Sequence, residues 1–85
     1  MPYIDKEKRT KFDSFVASMD MLDIAGPGEL NYFITLLTHK YLNQRPESYG
    51  MYNDVVGALE SAKLELYRRH IASYEDLKIR NNGDV

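Results

Sequence analysis

Between Tyr52 and Tyr74 the apolar residues recur at helical spacing, over an arc too wide for a helix that buries only one side. Stepping about 100° per residue spreads Ala62, Val55, Leu66, Leu59, Tyr52, Val56, Tyr67, Ile71 and Leu64 over roughly 200° of the circumference. Asp54, Ala58, Ser61, Glu65, Arg68 and Arg69 make up the other side. A surface helix packed on one core needs a stripe of about 100° or a little more. This segment therefore asks for neighbours on two sides, and Glu60 and Lys63 fall inside the apolar arc instead of opposite it. The pattern predicts an all-α fold, a small bundle of three to four helices with a long central third helix.

The other elements follow from local chemistry. Asp5 is placed to cap a first helix over 5–20, with Glu7 in the first turn, where negative charge suits the helix dipole. Its stripe is Phe12, Phe15, Val16 and Met19, and it frays out over Asp20 to Asp23. Pro27 suits the first position of a second helix over 28–43, since its missing N–H costs nothing there. That helix carries Leu30, Phe33, Ile34, Leu37 and Tyr41 on one face. Pro46 disfavours helical geometry at Arg45, and Ser48 offers an oxygen to cap the third helix, 49–72. Ser73-Tyr74-Glu75-Asp76 has the form of a capping box, which predicts a short helix over 73–81 ending at Asn81-Asn82-Gly83. One continuous helix through Ser73 is the alternative, and the two stay open at this point. No linker separates domains, so residues 1–85 read as a single helical domain.

A chain of 85 residues, 44 % apolar, buries roughly 60–65 % of the surface that it exposes when unfolded, a small return for a folded core. With no cysteine, neither disulfides nor a thiolate metal site can add to it, and self-association is the remaining common remedy. The net charge of −2 argues against a general nucleic-acid binder, which needs a basic stripe to displace phosphate counterions. Arg68-Arg69-His70 is the local exception. The first residues lack a signal-peptide core, and no apolar run approaches the ~18 residues of a membrane span. These features predict a soluble cytoplasmic protein with no membrane partner.

Glu60 and Lys63, three apart, are neighbours on a helix surface and suit an ion pair at the rim of the core, with Lys63 lying along its apolar neighbours. A sharper reading sets them with Asn53 and Tyr67 around a polar cavity or subunit boundary. Gly57, on the same row, would permit close approach of another backbone. Glu65 precedes Arg68 and Arg69 by three and four residues, the favourable orientation for a salt-bridged, solvated face. The functional alternative has these arginines bind an anion such as phosphate, with Tyr67 or Tyr74 stacking beside them. Candidate ligand-binding residues are thus Asn53, Glu60, Lys63, Tyr67, Arg68 and Arg69. Seven tyrosines against three phenylalanines suit self-association surfaces and nucleotide pockets alike.

Catalytic arrangements fare less well. Gly26-Pro27-Gly28-Glu29 places glycines before a helix but lacks the lysine and hydroxyl of a phosphate loop, and Glu29 would repel a phosphate, so it reads as a helix start. His39 and His70 have no metal-ligand companions at i+3 or i+4. A magnesium-dependent nucleotide pyrophosphatase needs converging carboxylates, yet Glu60 and Glu65 stand about 140° apart on their helix. A non-enzymatic protein with no metal and no cofactor is the expectation.

Pro2-Tyr3-Ile4, Pro27-Gly28-Glu29-Leu30-Asn31-Tyr32, Gly57-Ala58-Leu59-Glu60 and Lys63-Leu64-Glu65, then Tyr67-Arg68-Arg69, Tyr74-Glu75-Asp76, Lys78 and Asn82-Gly83-Asp84-Val85, together form one pattern over nearly the whole chain. In that pattern the chain resembles a family of short, uncharacterised proteins found largely in bacteriophages and prophage regions. Between Phe12 and Ile24 this chain carries more residues than the family's compact pattern. The resemblance implies a phage-type accessory role in the host cytoplasm and no defined chemistry.

Three functional expectations result. The first is a homo-oligomeric helical module whose third helix makes much of the subunit contact. In a sharper form, an anti-defence role, it sequesters an anionic small molecule such as a host signalling nucleotide. The second is an adaptor or inhibitor docking on a host or phage protein through exposed tyrosines and arginines, residues that favour interface hot spots. DNA binding through Arg68-Arg69-His70 comes third.

Overall fold

The computed structural model describes residues 4–85, so Pro2 and Tyr3 of the resemblance lie outside the described residues. Among these, 78 % are helical and none is in a strand, which makes the protein all-α. The chain divides into two compact units, Met1–His39 and Lys40–Val85.

In the first unit, Lys6–Phe12 forms a 3₁₀ segment that passes into α1, Asp13–Met19. Asp5 does precede the first turn, but its carboxylate makes no cap; its backbone carbonyl accepts the Lys8 N–H at 3.0 Å instead. Thr10 Oγ1 donates to the Glu7 carbonyl at 3.1 Å and Arg9 Nε to the Ile4 carbonyl at 3.2 Å. Such local side-chain bonds compete with the α-helical ladder, and the α form begins only at Asp13. The helix closes through three successive i→i+3 bonds, from the Asp20, Met21 and Leu22 amides, a common way to satisfy the last carbonyls.

The second helix, α2, spans Pro27–Leu42. Gly26 turns the chain at φ +92°, a conformation open to glycine, and its carbonyl accepts the Leu30 N–H at 3.2 Å. Glu29 reaches back to accept the Ala25 N–H at 3.1 Å, so the Gly-Pro-Gly-Glu run is a helix start with its carboxylate already engaged. The Phe15 and Phe33 rings stack at 6.4 Å between centroids and tie α1 to α2 within this unit.

The second unit is dominated by one continuous helix. Ser48 sits in extended conformation and its Oγ accepts the Met51 N–H at 3.2 Å, opening α3, Tyr49–Leu66. A π-helical turn, Tyr67–Ile71, joins it directly to α4, Ala72–Asn82. Residues 49–82 therefore make a helix of about 34 residues, ended by Gly83 at φ +84°, whose N–H bonds the Ile79 carbonyl at 2.8 Å. Of the two forms open from the sequence, the continuous helix is the one adopted, and Ser73 caps nothing. The π turn explains how. Its i→i+5 bonding takes up one extra residue, so residues eight apart span two turns and share a row. Tyr67 Oη accordingly donates to Glu75 Oε2 at 3.0 Å, drawing the would-be box into the helix wall.

Candidate interaction surface on the long helix

Among the described residues only Met51, at the first turn of α3, is buried, with 8 % of its surface exposed. Along the rest of the helix the half-buried positions are Val55, Ser61, Glu65 and Ala72. Ser61 and Glu65 belong to the side opposite the apolar arc. The arc itself lies open: Tyr52, Val56, Leu59, Leu64, Leu66 and Tyr67 each leave between 43 % and 66 % of their surface exposed. Five of these, all but Leu64, fit within about 100° of circumference, the width of a complete packing stripe.

The polar residues predicted as a ligand site do not converge on one point. Lys63 Nζ pairs with Glu60 Oε1 at 3.3 Å, both side chains more than half exposed, so the pair is solvated and neither charge is buried. Arg68 Nη2 meets Glu65 Oε1 at 2.9 Å, and Arg69 Nε bonds the same oxygen. This is the i+3 and i+4 fork that the spacing predicts, with 64 % of the Arg68 and 52 % of the Arg69 side chain open to solvent. Asn53 is exposed. The Tyr67 hydroxyl is committed to Glu75, which raises its pKa, chiefly through that hydrogen bond and then through the carboxylate's charge.

Two further tyrosine hydroxyls donate to carboxylates. Tyr52 Oη donates to Glu47, and its pKa is raised for the same reason; Tyr41 Oη donates to Asp54 Oδ2 at 3.4 Å. Sequence reasoning missed all three pairs because their separations of 8, 5 and 13 residues match no helical neighbour rule. The Tyr52–Glu47 bond closes one wall of a cleft of about 340 Å³ at the α2–α3 connection, between Leu42, Arg45, Met51 and Tyr52. No group of three His, Cys, Asp or Glu among the described residues is placed to hold a metal ion, and none of their helices is long and apolar enough to cross a membrane.

What the second unit offers is thus a long apolar helix face with a charged rim. Residues 1–85 match the family described as Domain of unknown function (DUF6899). The chain belongs to that family. No curated protein and no solved structure matches it.

Proposed function

We propose that this member of the DUF6899 family is a non-enzymatic, self-associating helical module, whose apolar arc on helix 49–82 forms the contact between copies. The observation that supports the reading most is the distribution of exposure. Within the unit Lys40–Val85 the only chain outside the helix is a nine-residue approach and three terminal residues, too little to cover a helix of about 34 residues. Leaving six large apolar side chains about half in water forfeits part of the main favourable term in folding. A second copy returns it. The resemblance to phage and prophage proteins favours an accessory role of that kind.

Binding of an anionic small molecule is a second reading, and one feature favours it. Two guanidinium groups share one carboxylate oxygen at Glu65, so the cluster keeps an excess of positive charge and exposed N–H donors. Tyr67 would contribute its ring face here, its hydroxyl being engaged by Glu75.

Native mass spectrometry of the gently purified chain tests both readings. A multimer at tens of micromolar is expected under the first, and retained extra mass of nucleotide size under the second. A strictly monomeric species overturns the first reading, and a bare multimer that ignores every nucleotide offered overturns the second.

A further inference from the structure

From Asp13 to His39 the chain carries four carboxylates, Asp13, Asp20, Asp23 and Glu29, and no lysine or arginine: four negative charges and none positive, −4 with His39 neutral. The same stretch leaves apolar surface open within the unit Met1–His39. Two adjoining hollows of about 310 and 270 Å³ share Leu22 and Phe33 as walls, so they form one groove along α1, the connection after it and α2. Phe15, Met19, Tyr32 and Leu36 extend its apolar lining. Phe15, Met19, Leu22, Tyr32 and Leu36 each expose 40–66 % of their surface. Among the described residues, the charged groups that line the groove are Asp23 and Glu29, both acidic. Glu29 Oε1 accepts the Ala25 N–H at 3.1 Å, which fixes that carboxylate beside the apolar wall.

We infer that this groove docks a cationic amphipathic helix of a partner protein, its apolar face on the wall of Phe15, Leu22, Phe33 and Leu36 and its lysines or arginines over Asp23 and Glu29. Two packed helices present a furrow into which the ridge of a third helix fits. Charge selects the composition of that helix. The carboxylates line the docking face itself, so a basic helix is attracted at the point of contact and an acidic one is repelled there. A second copy is a poorer match. Its own groove repeats the −4, and its helix 49–82 carries five carboxylates against five lysines and arginines, a net charge of zero. The area points the same way. Five side chains of roughly 200 Å² each, about half exposed, offer on the order of 500 Å², below the ~800 Å² per partner of a standard interface and in the range of transient encounters. Salt-sensitive binding with a dissociation constant on the order of micromolar is expected. The groove belongs to the unit that the self-association reading does not use, so it stands without that reading.

The chain contains no tryptophan, so a single tryptophan in a peptide probe reports docking by itself. The probe is an amphipathic peptide of about 18 residues, or five helical turns, with leucines and one tryptophan on one face and lysines on the other; its control has glutamates for the lysines. Titration with the full chain is expected to blue-shift the emission of the lysine peptide, with at least tenfold tighter binding than the glutamate peptide shows. Asp23→Asn with Glu29→Gln removes both groove charges, and glutamine keeps a carbonyl oxygen for the Ala25 N–H. This variant should bind the lysine peptide about tenfold more weakly, and Leu22→Gln should weaken it at least as much. Where Leu22→Gln fails to fold, Tyr32→Ala decides: Tyr32 is 66 % exposed, so its truncation should lower affinity several-fold with the circular dichroism spectrum unchanged. Equal binding of the two peptides overturns the charge selection. Affinity retained in all of the variants, or no binding of the lysine peptide by the parent chain, overturns the groove as its site. A native mass spectrum in which Tyr32→Ala alone lowers the subunit number assigns the groove to a second copy and refutes the basic partner.

Discussion

Replacing Val56 by alanine separates the two roles that a residue on the exposed arc could have, because the two respond with opposite sign. Val56 leaves 66 % of its surface in water, so truncating it opens no cavity in the isolated chain. The only intrachain effect is helix propensity, where alanine exceeds valine by roughly 0.5 kcal/mol; the lone chain should therefore become slightly more stable. Association moves the other way. Alanine lacks two methyl carbons of valine, worth about 0.8 kcal/mol each when buried. Scaled by the exposed share of the side chain, this is about 1 kcal/mol per copy and about 2 kcal/mol for a symmetric pair. A loss of that size weakens the dissociation constant about thirtyfold, at 1.4 kcal/mol per factor of ten. Sedimentation equilibrium over a concentration range measures the constant, and circular dichroism at a concentration below it measures the helix. An unchanged constant with the expected small gain in helix stability would refute the assignment of the arc as an interface.

Gly57 sits mid-helix with nothing within 4 Å of where a Cβ would stand, so Gly57→Ala should raise stability by about 1 kcal/mol in urea melts; a loss would mean that a second copy occupies the space. Tyr67 and Tyr52 donate to carboxylates and have raised pKa values, so each contributes a stability that is fully present below the unfolded tyrosine pKa and disappears as pH rises through the folded one. Tyr67→Phe should accordingly flatten the alkaline end of the stability profile and remove one of the upward-shifted steps from the tyrosinate absorbance; a profile identical to the parent's would remove the Glu75 bond from the account. If Glu60 and Lys63 are enclosed by the second copy, Lys63→Leu alone should weaken association by stranding Glu60, whereas the double change Glu60→Leu with Lys63→Leu should leave it unchanged or tighten it by about 1–4 kcal/mol. Both variants staying within about twofold of the parent would set the pair outside the contact, as an exposed pair worth little. Arg68→Ala with Arg69→Ala should abolish any nucleotide binding found by calorimetry while leaving the multimer in place; retained affinity would dismiss the anion site.

Local chemistry was legible in the sequence, and long-range geometry was not. Ser48, Pro27 and Gly83 do what their residue types predict, because a cap oxygen, a missing N–H and a freely positive φ act within one turn of chain. Asp5 shows the limit of that logic: its carboxylate was available, yet the backbone carbonyl of the same residue serves the first turn, which is 3₁₀ and has a different register of donors. The Glu65 fork was readable for the same reason as the caps, since three and four residues are fixed distances on any α-helix. The π turn at Tyr67–Ile71 has no such signature. Its residues are ordinary helix formers, and its effect is a phase slip that a constant step of about 100° cannot represent. Of the two forms open at Ser73 the continuous helix is the one adopted, because Tyr67 and Glu75 share a row of its wall.

The candidate surface exposes a deeper limit in reading faces from periodicity. Hydrophobic spacing says which residues want to leave water, but it does not say which are covered by the chain itself. On helix 49–82 the two differ: the half-buried positions include Ser61 and Glu65, while Tyr52, Val56 and Leu59 stay exposed. A helix whose own unit leaves its apolar side half open would have a driving force for the proposed pairing. Burial supplies most of the free energy and is indifferent to direction. Glu60 and Lys63 lie inside that arc as a solvated pair, and on the proposed pairing they would stand at the rim of a contact driven by burial.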